Sequence, residues 1–303
     1  MSMGQAVVRD CSSEGAEQQR SAPRRPCLRY SAGDSASSGM AKAAEYPDVA
    51  STPPAWWELR SGDVVRPLIW SPSELASVER IRIEPLEVVY AYVGLGGSPA
   101  ESELALLDAD EQRRSERFVH ERDRRRFILA HAALRALLAR CIGSSPDAIR
   151  YTVGPEGKPA LAGGGIEFNM AHSHELGLVA VTRRRAVGVD VERVRQITDA
   201  LAVARSYFSA RERALLRRSP PEDLSARFLE LWTRKEAVIK ARGDGLARAL
   251  DSFDVDTVPR SLRLDSSGPE RSEWAVRDLE APEGFVAAGA VAATADEPAW
   301  REL

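Results

Sequence analysis

The amino-acid sequence predicts an α/β (α+β) fold built as two similar α/β halves in one chain. Three observations predict it. Short runs rich in β-branched and aromatic residues alternate with long segments of helical period, and that order occurs once before and once after residue 186. The 303 residues are 44% hydrophobic and 29% charged, enough to bury a core in two units of roughly 100 to 150 residues each.

The elements follow in chain order. Residues 1–54 are rich in Ser, Ala, Gly, Glu and Arg with few clustered apolar residues, so burial cannot offset the entropy of ordering them; they read as a disordered leader, and Met40 offers a second translation start. Structure is expected from Trp56 and Trp57 onward. LEVVYAYVGL, residues 86–95, is a buried strand closed by a Gly-Gly turn. Asp108 to Ile142 reads as one helix that starts acidic, stops before Gly143 and keeps Phe127, Leu134, Leu137 and Leu138 at helical spacing. IRYTV, EFNMAHS, LGLVAVT and AVGVDVERV are short strands between turns. This places an N-terminal half over residues 55–185 and a C-terminal half over 186–303. In the second, Ser209 with Glu212 three residues later is a capping box for a helix through Leu216. Another helix runs from about Leu224 to Arg242 and stops at Gly243-Asp244-Gly245. SFDV, EWAVRDL and EGFVAAGAVAA are expected as antiparallel strands covering one face of those helices.

Composition excludes several classes. With 42 Lys plus Arg against 45 Asp plus Glu, the net charge of -3 gives no global attraction to nucleic acid or to an anionic membrane. Cys11, Cys27 and Cys141 are an odd number without a C-x-x-C, which argues against a disulfide framework and a thiolate metal site. Neither a signal-peptide core nor a bilayer-spanning run is visible, so a soluble cytoplasmic protein is expected.

Two constellations carry chemistry. In Gly188-Val189-Asp190-Val191-Glu192 the two-residue period of a strand points Asp190 and Glu192 to one side. Paired carboxylates suit Mg²⁺ together with water and substrate phosphates; the same pair also fits a solvent-facing strand end beside Arg193 and Arg195. In WTRKEAVIK, residues 232–240, Trp232, Glu236 and Lys240 recur every four residues and share a helix face, which fits an ordinary surface pair as well as a site. Their occurrence together opens the reading that three carboxylates and a lysine surround a metal-bound pyrophosphate. Lys158 follows a tight turn, His172 and Ser173 end a strand, and an Arg-dense stretch (Arg113, Arg114, Arg117, Arg122, Arg124, Arg125, Arg126) offers guanidinium forks for phosphate or a solvated face balanced by Glu116, Glu121 and Asp123.

GKP at 157–159, FNMAHS at 168–173, VGVDVE at 187–192, FSARE at 208–212 and WTRKEAVIKARGDGL at 232–246 stand in order. Together they resemble the motifs of the Sfp-type 4'-phosphopantetheinyl transferases over roughly residues 85–293. The resemblance implies the pseudo-dimeric fold of that family and a monomer. It also implies transfer of the 4'-phosphopantetheine arm of coenzyme A to a serine of an apo acyl or peptidyl carrier protein, as in fatty acid, polyketide or nonribosomal peptide synthesis. Asp190 and Glu236 then bind Mg²⁺, with Glu192 a third ligand or an acceptor for a metal-bound water. Glu236 doubles as general base, and Lys240 offsets charge on the leaving phosphate. Lys158 and His172 meet the coenzyme A phosphates, with Arg126, Arg114 and Arg117 near the 3'-phosphate and adenine. Ala171 departs from the family's Ser or Thr before the histidine, which removes one hydroxyl donor unless Ser173 replaces it. Two alternatives stay open: a coenzyme A-binding, carrier-docking relative without turnover, and a Mg²⁺-dependent pyrophosphate hydrolase.

Overall fold

The computed structural model of the chain describes residues 68–154, 157–243, 249–255, 260–263, 273–293 and 298–303. The leader expected over residues 1–54, the start at Trp56 and Trp57, and Asp244 and Gly245 lie outside them.

The first half opens with β1 (Ile69–Trp70), α1 (Pro72–Ser77), β2 (Glu87–Gly94) and α2 (Glu101–Leu104). The stretch from Asp108 to Ile142, expected as one helix, is two: α3 (Ala109–Ser115) and α4 (Glu121–Ile142). The reason for the break is electrostatic. Arg135, fully buried within α4, needs counter-charges, and the turn between the helices folds Asp108 and Glu111 back onto its guanidinium. Glu111 also meets His131 Nδ1 at 2.9 Å, while Arg135 Nη1 donates to the carbonyls of Pro146 (2.8 Å) and Ile149 (3.1 Å). A hairpin of β3 (Tyr151–Val153) and β4 (Pro159–Leu161) precedes β5 (Ile166–Ser173) and β6 (Leu176–Arg183), and the main sheet runs β1-β2-β6-β5. Helix α4 covers its outer face, with Leu129, Ala133 and Leu137 against Val89, Ala91 and Val179.

The second half contains β7 (Val187–Arg193), α5 (Ala200–Tyr207), α6 (Ala210–Arg218), α7 (Leu224–Arg242), β8 (Arg260–Arg263), β9 (Glu273–Leu279) and β10 (Phe285–Ala292), with an antiparallel sheet in the order β7-β10-β9-β8. Helix α5 went unread in the sequence. The capping box of α6 forms as expected, Ser209 N donating to Glu212 Oε2 at 2.9 Å and Glu212 N to Ser209 Oγ at 3.2 Å. Helix α7 ends at Gly243, whose φ of +78° is the left-handed conformation of a helix stop. SFDV is no strand. A single 3₁₀ turn over Leu250–Ser252 leads into it, and the carbonyls of Leu250 and Phe253 accept from Lys235. Helix α7 lies against β7 in backbone contact: a Cβ on Gly188 would come within 2.2 Å of the Ala237 carbonyl oxygen.

The inner faces of the two sheets pack together through Tyr90, Tyr92, Leu178 and Ala180 on one side and Val187, Val189, Val191 and Val291 on the other. The layers therefore run helix, sheet, sheet, helix. The two-half division drawn at residue 186 is crossed by β11 (Ala299–Glu302), which pairs in parallel with β2 of the first sheet. Its Trp300 lies on β10, where a Cβ on Gly289 would come within 2.2 Å of the indole. Among the described residues no helix is long and apolar enough to cross a membrane.

Candidate active site

Strand β7 is buried on both faces, and its alternation sorts two chemistries. Val187, Val189 and Val191 enter the core between the sheets, whereas Gly188 and Asp190 meet α7. Asp190 and Glu192 are 2% and 0% exposed, and Glu236 of α7 is 4% exposed. One turn on, Lys240 Nζ donates to Asp190 Oδ1 at 2.6 Å. Among the described residues, Asp190 Oδ2 and Glu236 Oε1 are buried without a hydrogen-bond partner.

Burial pushes the Asp190 carboxyl up to about 7, against the pull of Lys240 and with the help of Glu236 and Glu192. Glu236 is raised by burial too, and by Glu192. Burial alone would lower Lys240, but Asp190 and Glu236 beside it carry it above its ordinary value.

Glu192 has a different environment. Its Oε2 accepts from Ser173 Oγ at 2.7 Å and from Arg195 Nη1 at 3.4 Å. Among the described residues no group of three His, Cys, Asp or Glu side chains is arranged to hold a metal ion. Glu192, expected as a third ligand or an acceptor for a metal-bound water, has its Oε2 engaged by protein donors, and the carboxylates that keep an oxygen without a partner among the described residues are the pair Asp190 and Glu236. That pair fits Mg²⁺, which takes one or two carboxylates and fills its shell with water and substrate phosphates.

The residues expected at the nucleotide end are spread more widely. His172, on β5, is held down to about 4 by burial, with Lys240 and Arg126 pushing the same way. Arg126 Nη2 bonds Glu175 Oε1 at 2.7 Å, and Arg125 bonds Glu175 Oε2 at 3.3 Å. Arg114 lies over the Phe127 ring, 5.1 Å from its centroid, and Arg117 is exposed on the turn after α3. Three expectations change. Lys158 Nζ is committed to the carbonyls of Val187 (3.2 Å) and Ala241 (2.9 Å) instead of facing open space. Ser173 is 1% exposed, and its hydroxyl proton goes to Glu192, so it is no substitute donor for a phosphate. Ala171 faces the apolar core between the sheets, on the opposite side of β5 from His172, so its lack of a hydroxyl takes nothing from the His172 side.

A family model described as "4'-phosphopantetheinyl transferase superfamily" matches residues 186–290, and one described as "4'-phosphopantetheinyl transferase, N-terminal" matches residues 98–184. The 4'-phosphopantetheinyl transferase HetI of a Nostoc species is 35% identical over 198 residues, 64% of this chain and 82% of that protein. The chain belongs to the 4'-phosphopantetheinyl transferase family. Its relatives include AcpT of Salmonella typhimurium, 36% identical over 43% of this chain and 66% of its own. Sfp of Bacillus subtilis is 28% identical over 50% of this chain and 67% of its own.

In this transferase the rest of the WTRKEAVIK segment is structural. Lys235, with 0% exposure, pairs with Glu212 Oε2 at 2.9 Å and donates to the Leu250 and Phe253 carbonyls at 2.7 and 2.6 Å. Arg234 forks onto both oxygens of Asp278 at 2.7 Å. Trp232 is a packing anchor, stacked on Phe228 with 9° between the rings. Sequence reasoning missed the roles of Asn169, whose Oδ1 accepts from Val189 N at 2.9 Å, and of Glu175, which holds Arg125 and Arg126. Asn169 lies four residues before Ser173 on one strand face, and that spacing was readable.

Proposed function

We propose that this transferase moves the 4'-phosphopantetheine group of coenzyme A onto a serine of an apo acyl or peptidyl carrier protein. The second product is adenosine 3',5'-bisphosphate, and the reaction depends on Mg²⁺, as in a holo-[acyl-carrier-protein] synthase. The observation that carries this reading is the pair of buried, unpartnered carboxylate oxygens, Asp190 Oδ2 and Glu236 Oε1, beside Lys240. Unpaired buried carboxylate oxygens are costly, and a bound cation removes that cost.

Mg²⁺ held by Asp190 and Glu236 supplies neutralising charge to the pyrophosphate of coenzyme A. The serine hydroxyl attacks the β-phosphorus while its proton passes to the carboxylate of Glu236, which burial holds above its ordinary value. The bond from that phosphorus to the bridging oxygen breaks, and Lys240, poised at Asp190, offsets the charge gathering on the leaving phosphate. His172 and Arg126 line the nucleotide side, with Arg114 and Arg117 further out; a bound phosphate competes with Glu175 for Arg126 and raises the pKa of His172.

The carrier protein docks on α6. Arg213 is tied to the Phe208 carbonyl at 2.8 Å, but Arg217 and Arg218 are exposed in the last turn beside Leu215, a surface suited to the acidic helix of a carrier. The two halves complete one site within a chain, which supports a monomer as the working form.

The test is intact-mass analysis of an apo carrier protein after incubation with the protein, coenzyme A and Mg²⁺. A gain of one phosphopantetheine is expected, lost with Asp190→Ala and with EDTA. Coenzyme A binding without any gain across several carriers would favour a docking protein that does not turn over.

A further inference from the structure

Strands β5 and β7 end their respective sheets and lie side by side, and β7 carries Asp190. An edge strand inside a protein must find partners for its backbone groups, and a neighbouring strand is the usual source. Along this edge three side chains of the first half supply partners. Lys158 Nζ donates to the Val187 carbonyl at 3.2 Å, Asn169 Oδ1 accepts from Val189 N at 2.9 Å, and Ser173 Oγ accepts from Arg193 N at 3.2 Å. The three contacts span β7 from its first residue to its last. Lys158 also reaches the Ala241 carbonyl at the end of α7, and Ser173 gives its proton to Glu192, so the same side chains touch the helix and the acid strand.

We propose that Lys158, Asn169 and Ser173 are positioning residues that fasten the edge of β7 to the first half and so set the separation between His172 and the Asp190–Glu236 pair. The proposal rests on the transferase reading above, in which those two sides handle one coenzyme A molecule. A backbone ladder can slip by two residues and regain its hydrogen bonds; a stitch of distinct side chains fits one register only. A two-residue slip of β7 would carry Asp190 about 7 Å along the strand, out of reach of Lys240. Because Asn169 and Ser173 flank Ala171 on one face of β5, the stitches act on the side of the strand opposite His172 and leave that ring to the nucleotide.

The experiment compares Ser173→Ala and Asn169→Ala with Thr182→Val. Thr182 Oγ1 donates to the Glu87 carbonyl at 2.7 Å in the same sheet but away from the β5–β7 edge. Each variant is assayed for carrier modification and for amide hydrogen exchange. At matched loss of Tm, both edge variants are expected to lose at least ~10-fold in kcat with KM for coenzyme A within about 2-fold, since small misplacements of reacting groups are costly in rate. Thr182→Val keeps its kcat. Exchange should quicken at the Arg193 amide in Ser173→Ala and at the Val189 amide in Asn169→Ala. Losses of kcat no larger than that of Thr182→Val, or amides that stay protected, would overturn the proposal. If the unaltered protein modifies no carrier, the transferase reading fails on its own, and the two amides still decide whether these side chains hold β7.

Discussion

The two long helices both bury charge, and they do so to opposite ends. In α4 the guanidinium of Arg135 has no exposure and is met by Asp108, Glu111 and two backbone carbonyls. In α7, Glu236 is almost as deeply buried, yet one of its oxygens has no partner among the described residues, and the same holds for Asp190 opposite it. One residue earlier, Lys235 is as completely satisfied as Arg135. The difference separates two uses of a buried charge. Where each partner is supplied by the protein, the charge locks elements together; where an oxygen is left over, the protein keeps stability in reserve for something that binds.

That contrast can be broken most decisively at Glu236. Glu236→Gln should reduce the rate of carrier modification by roughly 10² to 10⁴-fold, the range for loss of a general base, while the melting temperature holds or rises because a strained buried charge is gone. A variant that melts earlier and still turns over would put Glu236 in the same class as Arg135. The converse change, Arg135→Met, strands two acids and should cost about 3–5 kcal/mol, read from urea unfolding, with kcat per folded molecule unchanged.

A smaller effect separates the clusters by pH and metal. The folded state holds the Asp190 proton up to about 7, whereas the unfolded chain releases it near the ordinary aspartate value of 3.8. Raising the pH through that window therefore costs the folded state, so without metal this site subtracts stability as pH climbs from about 4 to 7. Mg²⁺ binds the ionised form, so its stabilising effect should grow from pH 6 to pH 8 in thermal melts. The same growth should persist in Arg135→Met and vanish in Asp190→Ala; an equal effect of Mg²⁺ at both pH values would count against the site. The smallest effect is expected at Ala171→Ser. Residue 171 faces the core between the sheets, so the change should move stability by no more than ~1–3 kcal/mol, the scale for burying a hydroxyl, and leave the KM for coenzyme A where it was.

Much of this was legible in the sequence because the signals were local. The alternation of VGVDVE set Asp190 and its valines on opposite faces, the Ser209–Glu212 box marked the start of α6, and Gly243 marked the end of α7. Packing decided the rest. Nothing near Ser173 says that its proton goes to a carboxylate nineteen residues away, and nothing near Lys158 says that it will cap a helix eighty-three residues on. The break between α3 and α4 was hidden for the same reason: the residues between them permit a helix, and it is the demand of Arg135 for counter-charges that bends the chain. SFDV alternates like a strand, but its neighbourhood serves the Lys235 ammonium instead.

The placement of β11 has a consequence for the order in which the protein is made. Arg301 of β11 binds Glu87 of β2 across 214 positions, and β11 closes the edge of β2 that β1 covers only in part. Synthesis runs from the N-terminus, so that edge stays open while the whole second half leaves the ribosome. On the nascent chain the first half therefore carries an unpaired strand edge until a segment arrives that follows α7 in the sequence. Its two halves look like separate building blocks in space, but the sheet of the first is completed only by the last strand of the chain.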